Sequence, residues 1–164
     1  MNNDYTPVKV NEPVVTPGQN CWRIGDFYVT AQPTDPEGLN VAHGLGIKSV
    51  ICLRDATEQA IPPYLAFDPD EDIRLTSLAM NFANIPFPHG IPQNQFDTRA
   101  GAVLAVLNQL PKPLLMHCSS GDRASALWAI HLIVNCGVPK PEAIKYAEMS
   151  GLKQFLPYVQ NYAS

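Results

Sequence analysis

Short apolar runs alternate along this chain with longer stretches in which apolar residues recur every three or four positions. The runs cover residues 47–53, 82–87 and 114–116, and their length and composition predict buried strands. Residues 22–31 predict two further short strands on either side of a turn at Gly25 and Asp26. The periodic stretches between these runs predict helices.

Two of the predicted helices start with recognisable signals. Asp35 and Pro36 are typical of a helix start, because the first offers a side-chain acceptor and the second is preset for the first turn. This helix ends near Gly46 and faces inward with Leu39, Ala42 and Leu45. The acidic run of residues 70–72 places negative charge at the first turn of another helix, where the helix dipole favours it. We interpret this run as a helix start rather than a metal site; the buried face is Leu75, Leu78 and Ala79.

Four more helices follow from apolar spacing. The first has the following residues on one face and ends before two prolines: Phe96, Ala100, Val103, Leu104, Leu107 and Leu110. Residues 124–134 are apolar without Gly or Pro and predict a buried helix, and two short helices are expected over 141–149 and 153–162.

The alternation of strands and helices predicts a single α/β domain with a largely parallel central sheet flanked by helices on both faces. We place the domain at residues 21–164, after a proline-containing loose leader at residues 1–20 that packs through Val14 and Val15. Ligands of such sheets bind at the carboxyl ends of the strands. Arg54, His89 and Cys118 each follow a predicted strand, so we expect them at one edge.

Composition narrows the functional classes. The chain has 164 residues, 46% of them hydrophobic and 16% charged, with a formal net charge of −4 and no cluster of Lys or Arg, which argues against a nucleic-acid partner. No apolar run approaches the roughly 20 residues that span a bilayer, so no membrane association is expected. The four cysteines form no CxxC pair or zinc-finger spacing, and we expect neither a metal nor another cofactor. The lack of an export signal favours the reducing cytoplasm.

The segment of residues 113–125 carries the clearest chemistry. A predicted strand, a loop of small residues and a predicted helix meet at Cys118, so that loop amides and a helix N-terminus favour an anion there and stabilise a thiolate. Arg123 offers a planar fork of donors to an oxyanion. A lone core cysteine and a solvated arginine are the plainer interpretation, but the small residues Ser119, Ser120 and Gly121 leave room for a ligand. The combination indicates attack on a phosphate ester.

Residues 117–123, His-Cys-Ser-Ser-Gly-Asp-Arg, resemble the phosphate-binding loop of the cysteine-dependent protein tyrosine and dual-specificity phosphatases. That loop reads H-C-x-x-G-x-x-R-[ST]; here Arg123 arrives one residue early, as C-x-x-G-x-R, and Ala124 holds the usual Arg position. The short spacing is similar to small bacterial phosphatase-like domains, found free or fused to beta-lactamase-hydrolase-like proteins, and a similar loop occurs in rhodaneses. Residues 50–54 and 85–92 also resemble the phosphatases.

The resemblance implies roles for the residues of the loop. Cys118 is the nucleophile, Arg123 and the loop residues Ser119, Ser120, Gly121 and Asp122 bind phosphate, and His117 acts indirectly by holding the loop and favouring the thiolate. A satisfied core histidine is the alternative for His117. Ser125, two residues beyond Arg123, is expected to help the thiolate leave in the second step, with Ser119 or Ser120 as alternatives.

The general acid is where the sequence departs from the family. His89 stands in the turn where the phosphatases usually supply an Asp, and a His can protonate a leaving oxygen near neutral pH. Asp97, Asp55 and Asp122 are the alternatives nearest in sequence. We also place Arg54 and Asp97 at the pocket, where Arg54 adds positive charge to the mouth; the other interpretation of Arg54 is an ion pair with Asp55 or another carboxylate.

Three functions follow. The leading one is hydrolysis of phosphotyrosine or a similar phosphomonoester, on a protein or a small molecule, through a phosphocysteine intermediate. The second is a rhodanese-like sulfurtransferase, against which His117 and the turn at 85–92 argue. The third is a catalytically weak domain that binds phosphate or phosphoproteins. Cys52 is a candidate for a regulatory disulfide with Cys118.

Overall fold

The structure is a computed structural model that describes residues 4–163. Within these residues, six strands and six helices are interspersed along the chain. Residues 1–3 of the predicted leader and residue 164 of the predicted domain lie outside the described residues. The elements in chain order are β1 (Val8–Lys9), β2 (Cys21–Ile24), β3 (Phe27–Thr30), α1 (Glu37–Gly44), β4 (Ser49–Cys52), α2 (Glu71–Ser77), β5 (Asn81–Asn84), α3 (Gln93–Gln109), β6 (Leu114–His117), α4 (Asp122–Cys136), α5 (Lys140–Ser150) and α6 (Leu156–Gln160).

The strands form one sheet in the order β1-β2-β3-β6-β4-β5. Strands β3, β6, β4 and β5 run parallel, whereas β1 and β2 add an antiparallel edge. The prediction of a single α/β domain with a mostly parallel sheet is confirmed. Strand β6, which leads to Cys118, lies between β3 and β4, so both of its neighbours hold the end of the strand in place.

Alternate residues of the strands belong to two separate core clusters, as the period of two along a strand requires. Val29, Ile51 and Met116 pack in one cluster with the buried residues of α3 and α4. Their neighbours Tyr28, Val50 and Leu115 pack in the other with residues of α1 and α2, Leu39 and Leu75. The two sets of alternate strand residues therefore pack against different helices.

Two predicted elements end earlier than expected. The predicted strand at 82–87 is regular only to Asn84, because Pro86 and Pro88 have no N–H for a ladder, although Ile85 and Phe87 still donate to the carbonyls of Cys52 and Leu53. The expectation that Ala79 faces inward is wrong. Helix α2 ends at Ser77, so Ala79 is exposed with a φ of 59°, and Met80 is buried instead.

The segment assigned to a loose leader makes closer contacts than that description implies. Val8 and Lys9 pair with β2, and Val14 and Val15 are buried. A Cβ at Gly38 would lie 1.9 Å from the Val14 carbonyl oxygen, so the approach of the segment to α1 requires glycine there. The division into leader and domain at residue 20 stays a prediction. Among the helices in residues 4–163, none has the length and apolar character needed to cross a membrane.

Candidate active site

The loop between β6 and α4 holds Cys118 at the carboxyl end of the central strand. The Gly121 amide donates a hydrogen bond of 3.1 Å to the Cys118 Sγ, and the cysteine is fully buried. Gly121 has a φ of 100°, a left-handed conformation that turns the chain directly into the first turn of α4. The strand, loop and helix expected at this point therefore meet at the thiol, and the helix begins two residues before the predicted apolar run.

A residue of the predicted leader supports this loop. The Asn20 side-chain amide donates to the Ser120 carbonyl over 2.8 Å, and its oxygen accepts from the Trp22 indole over 3.0 Å. A Cβ at Gly121 would lie 3.1 Å from the Asn20 Cβ, so Asn20 packs against the turn. Sequence patterns gave no signal for this contact, because it joins positions 100 residues apart.

Arg123 lies at the other end of the loop, and its guanidinium is buried. It donates to the Phe87 carbonyl over 3.1 Å through Nη1 and to the Ser119 Oγ over 3.1 Å through Nη2. Burial lowers the pKa of Arg123, but Glu58 and the Cys118 side chain raise it above its usual value. Although Arg123 arrives one residue early in sequence, its guanidinium still lies against the loop that holds Cys118.

Glu58 is the most prominent site residue that the sequence did not indicate. Its two carboxylate oxygens accept hydrogen bonds of 2.7 and 3.0 Å from Arg123, and Oε1 also accepts 2.5 Å from Arg54 Nε. Burial raises the pKa of Glu58, but the two guanidinium groups lower it to about 2. Glu58 lies in the loop after β4, where no periodicity marks it, and only its position four residues after Arg54 hints at a pair.

A cavity of about 530 Å³ opens beside the loop. Of the predicted site residues, Arg54, His89, Ser119, Ser120, Asp122 and Arg123 line it, and so does Asp55. Arg54 and His89, which the sequence placed at one edge of the sheet, therefore line the same cavity beside the Cys118 loop. The cavity is also lined by Thr57, Glu58, Gln59, Ile61, Tyr64, Pro88, Lys153 and Gln154. The other predicted site residues are not among its lining residues: Asp97, Ser125, His117, Cys118 and Gly121.

The Asp122 carboxylate anchors a neighbouring turn. Its oxygens accept hydrogen bonds from the backbone amides of Lys153, Gln154 and Phe155 over 2.7, 2.8 and 3.2 Å. Because both oxygens are engaged, this arrangement favours a structural role over proton donation. The Asp122 amide, by contrast, faces the loop and donates to the Ser120 Oγ over 3.4 Å.

The Ser125 hydroxyl is buried, and Ser125 does not line the cavity. It shares a 2.9 Å hydrogen bond with the Ser150 hydroxyl, which in turn donates to the Ala147 carbonyl. The Ser119 hydroxyl, by contrast, accepts a hydrogen bond from Arg123, and Ser119 lines the cavity. This favours the alternative that the sequence left open.

Proton donors at the cavity are few among the described residues. His89 stands at the rim, where desolvation of its ring and the charge of Arg123 lower its pKa from 6.5. Asp55 also lines the cavity, and its bonds from the Thr57 amide and hydroxyl lower its pKa from 3.8. Asp97 lies on α3 and accepts from Gln93 over 2.8 Å. Geometry thus favours His89 and Asp55 over Asp97 as candidates.

His117 lies behind the loop in a buried polar cluster. Its Nε2 is 2.7 Å from the Glu71 Oε2, and its Nδ1 is 3.3 Å from the Cys118 carbonyl oxygen. Burial lowers the pKa of His117, but Glu71 and the nearby Cys52 raise it, and the balance lies well above 6.5. Glu71 was predicted only as a charge at a helix start, a prediction that the start of α2 confirms without revealing this contact.

Cys52, Glu71 and His117 also bring one potential ligand atom each within 4.8 Å of one another. The His117 and Glu71 atoms already form a hydrogen bond, and the other Glu71 oxygen accepts 2.6 Å from the Gln32 side chain. Since these polar atoms satisfy each other, we assign the cluster to a hydrogen-bond network rather than to a metal centre.

Comparison with known proteins gives structural neighbours only: no family model matches the sequence, and no curated protein matches it. A candidate phosphatase from Neisseria meningitidis Z2491 matches with a TM-score of 0.65 at 23% identity, over 84% of this chain and 94% of that one. TpbA from P. aeruginosa, solved as a cysteine-to-serine variant with phosphotyrosine, matches with a TM-score of 0.66 at 16% identity, over 99% of this chain and 90% of that one.

A third neighbour is the core catalytic domain of the PP-IP phosphatase SIW14 from S. cerevisiae, solved with citrate. It matches with a TM-score of 0.60 at 21% identity, over 89% of this chain and 85% of that one. All three identities are below 25%, so the likeness is one of fold. The chain has the fold of the cysteine-dependent protein tyrosine phosphatase-like enzymes.

Proposed function

We propose that this protein is a cysteine-dependent phosphatase that hydrolyses phosphotyrosine or a related phosphomonoester through a phosphocysteine intermediate. The observation that carries the proposal is the juxtaposition of the Cys118 thiol, the Gly121 amide 3.1 Å from it and the buried Arg123 guanidinium, next to a cavity of about 530 Å³. A nucleophile, a backbone donor and a planar cation at one point suit a tetrahedral anion.

In the proposed first step the Cys118 thiolate attacks phosphorus, and the bond from phosphorus to the leaving oxygen breaks as the bond to Sγ forms. Arg123 and the amides of the loop bind the equatorial oxygens, where the charge of the transition state lies. In the second step water attacks phosphorus, the bond from phosphorus to Sγ breaks, and dihydrogen phosphate and the thiolate result. We assign assistance to the leaving thiolate to the Ser119 hydroxyl, which also contacts Arg123.

The leaving oxygen requires a proton unless it belongs to a stable anion. We assign this role to His89 because it lines the cavity opposite the loop, with Asp55 as the alternative. The lowered pKa of His89 leaves little of its acidic form at neutral pH. The proposed enzyme therefore favours aryl phosphates, such as phosphotyrosine, over alkyl phosphates at neutral pH.

Two neighbours of this fold have phosphorylated ligands in their descriptions: phosphotyrosine for TpbA and a PP-IP for SIW14. They support a phosphorylated protein or small molecule as the partner of this chain. We further propose that helices flank the sheet on both faces, which is supported by the two core clusters, and that the thiol works in a reducing cytoplasm.

A phosphate-binding domain without turnover is the second candidate, and Glu58 is the observation that favours it. The Glu58 carboxylate occupies two donors of Arg123 that a phosphoryl group also needs. If Glu58 is not displaced, phosphate binds at the loop weakly and without the full transition-state contact. Turnover therefore separates the two candidates.

The test compares the wild-type protein with Cys118→Ser and Cys136→Ser, the second being the control because Cys136 is an exposed cysteine on the far end of α4. We expect the wild type and Cys136→Ser to hydrolyse p-nitrophenyl phosphate and Cys118→Ser to be inactive but folded. Turnover of thiosulfate and cyanide instead would indicate a sulfurtransferase. Binding of phosphate without turnover of any phosphomonoester would indicate the binding domain.

A further inference from the structure

The two ring nitrogens of His117 both face acceptors. Nε2 lies 2.7 Å from the Glu71 carboxylate, and Nδ1 lies 3.3 Å from the Cys118 carbonyl oxygen. A neutral imidazole carries only one N–H, whereas an imidazolium donates from both nitrogens. The surroundings of the ring therefore match the charged form, with one N–H directed at the first peptide of the Cys118 loop.

Glu71 is held in this position from its other side. The Gln32 side-chain amide donates to Glu71 Oε1 over 2.6 Å, and Gln32 Oε1 accepts from Arg54 Nη1 over 3.1 Å. Glu71, Gln32 and Arg54 are all buried, whereas the acidic neighbours of Glu71 in the same helical turn are exposed. A carboxylate that only stabilised the helix dipole could remain in solvent. The burial of Glu71 and its hydrogen bonds with His117 and Gln32 therefore indicate a further role.

We propose that Glu71 is a positioning residue for the nucleophile: it holds His117 as an imidazolium whose Nδ1–H binds the Cys118 carbonyl and directs positive charge toward the Cys118 thiol. The carbonyl is thereby turned away from the bound anion, and the following amides of the loop are free to face it. The catalytic meaning of this role rests on the proposed phosphatase function, but its effect on the thiol does not.

Hydrogen bonds link the charged side chains in the order His117, Glu71, Gln32, Arg54, Glu58, Arg123. With His117 charged as proposed, this contact chain has three cations and two carboxylates, and a Cys118 thiolate would neutralise the excess positive charge. The Cys52 thiol on β4 also faces His117, which it opposes in the sheet register.

The test is the pH dependence of Cys118 alkylation by iodoacetamide in the full chain, followed on the Cys118 peptide by mass spectrometry. Glu71→Gln keeps the shape but removes the charge, and Asp72→Asn removes the same charge from the exposed next position of α2. A nearby charge shifts such a titration by one unit or more. We therefore expect Glu71→Gln to slow alkylation about tenfold below the wild-type midpoint, and Asp72→Asn to leave the profile unchanged. Identical profiles for Glu71→Gln and the wild type would overturn the proposal.

A second measurement needs no variant and covers the case in which Glu71→Gln does not fold. In ¹⁵N-histidine-labelled wild type, both His117 ring nitrogens are expected to remain protonated at pH 7.5, and a neutral His117 at that pH would overturn the proposal. The alkylation and NMR results are independent of turnover. Should the protein hydrolyse no phosphomonoester, they would still decide the role of Glu71, while the phosphatase assignment alone would fall.

Discussion

Replacing Glu58 by Gln tests how much the ion pairs of Glu58 with Arg54 and Arg123 contribute to the stability of the fold. The Glu58 side chain is only 9% exposed and accepts hydrogen bonds from the buried guanidinium groups of Arg54 and Arg123. The Gln variant keeps the volume but loses the charge, and it leaves two buried cations without their carboxylate. Removing one partner of a buried ion pair destabilises proteins by about 3–5 kcal/mol.

The lowered pKa of Glu58, which results from the same two arginines, gives a similar free energy for these ion pairs. A pKa of about 2 in the folded chain, against 4.5 for a free carboxyl group, corresponds to about 3 kcal/mol at neutral pH. Because the pKa is lowered on folding, this contribution is complete above about pH 4.5 and is lost as the pH falls through about 2. We therefore expect Glu58→Gln to cost about 3 kcal/mol at pH 7, and the difference from the wild type to narrow to about 2 kcal/mol at pH 3.5.

The assay is urea unfolding of the wild type, Glu58→Gln and Glu148→Gln at pH 7, 5 and 3.5. Glu148 is exposed near the end of α5, so its replacement controls for the loss of one negative charge. We expect Glu148→Gln to remain within about 0.5 kcal/mol of the wild type. A Glu58→Gln variant as stable as the wild type at pH 7, or a difference that does not depend on pH, would refute the reasoning.

Three further outcomes follow from the proposed chemistry. Arg123→Lys is expected to lose about 100- to 1,000-fold in turnover, nearly as much as Arg123→Ala, because Lys lacks the planar fork; a near-normal Ala variant would assign the phosphate to another arginine. Peroxide is expected to inactivate the enzyme and phosphate to protect it, and peptide mapping after mild oxidation will show whether Cys52 and Cys118 become linked. If His89 is the acid, its protonated form is active, so activity with an alkyl phosphate falls as the pH rises through a pKa below 6.5. His89→Ala then slows the alkyl phosphate much more than p-nitrophenyl phosphate, and Asp97→Asn slows neither; equal, small effects on both substrates would make His89 a turn residue.

The sequence predicted the order of strands β2 to β6 and of the six helices because each of these elements carries its own local pattern. Strand β6, the buried face of α3 and the start of α2 at the acidic run could be read locally. The ends of elements were harder to predict where a polar residue belongs to an otherwise apolar element. Asp122, for example, is the first residue of α4 but precedes its apolar run. Strand β1 has two exposed residues, Val8 and Lys9, and owes its place to pairing with β2, which no local pattern records.

The candidate site divides in the same way. Residues 117–123 are contiguous, so a single stretch of sequence indicates the thiol, the turn and the guanidinium. Glu58, Glu71 and Gln32 reach the site from separate loops and a helix, and their roles depend on burial and on partners up to 65 residues away. An acidic residue in a loop or at a helix start is usually solvated, and only the folded chain distinguishes these carboxylates from their exposed neighbours.

The short loop of this chain is compatible with an oxyanion site because of how the loop joins the helix. Gly121 adopts a left-handed conformation, and α4 begins at the next residue, so Arg123 stands in the first helical turn and reaches back toward the thiol. Ala124, at the position where the longer loops have their arginine, is buried in the core. Glu58 and the Phe87 carbonyl then hold the guanidinium from outside the loop. The Arg123 cation of the shorter loop is thus held by contacts from neighbouring loops, and its orientation depends on Glu58 and Phe87 as well as on its own backbone.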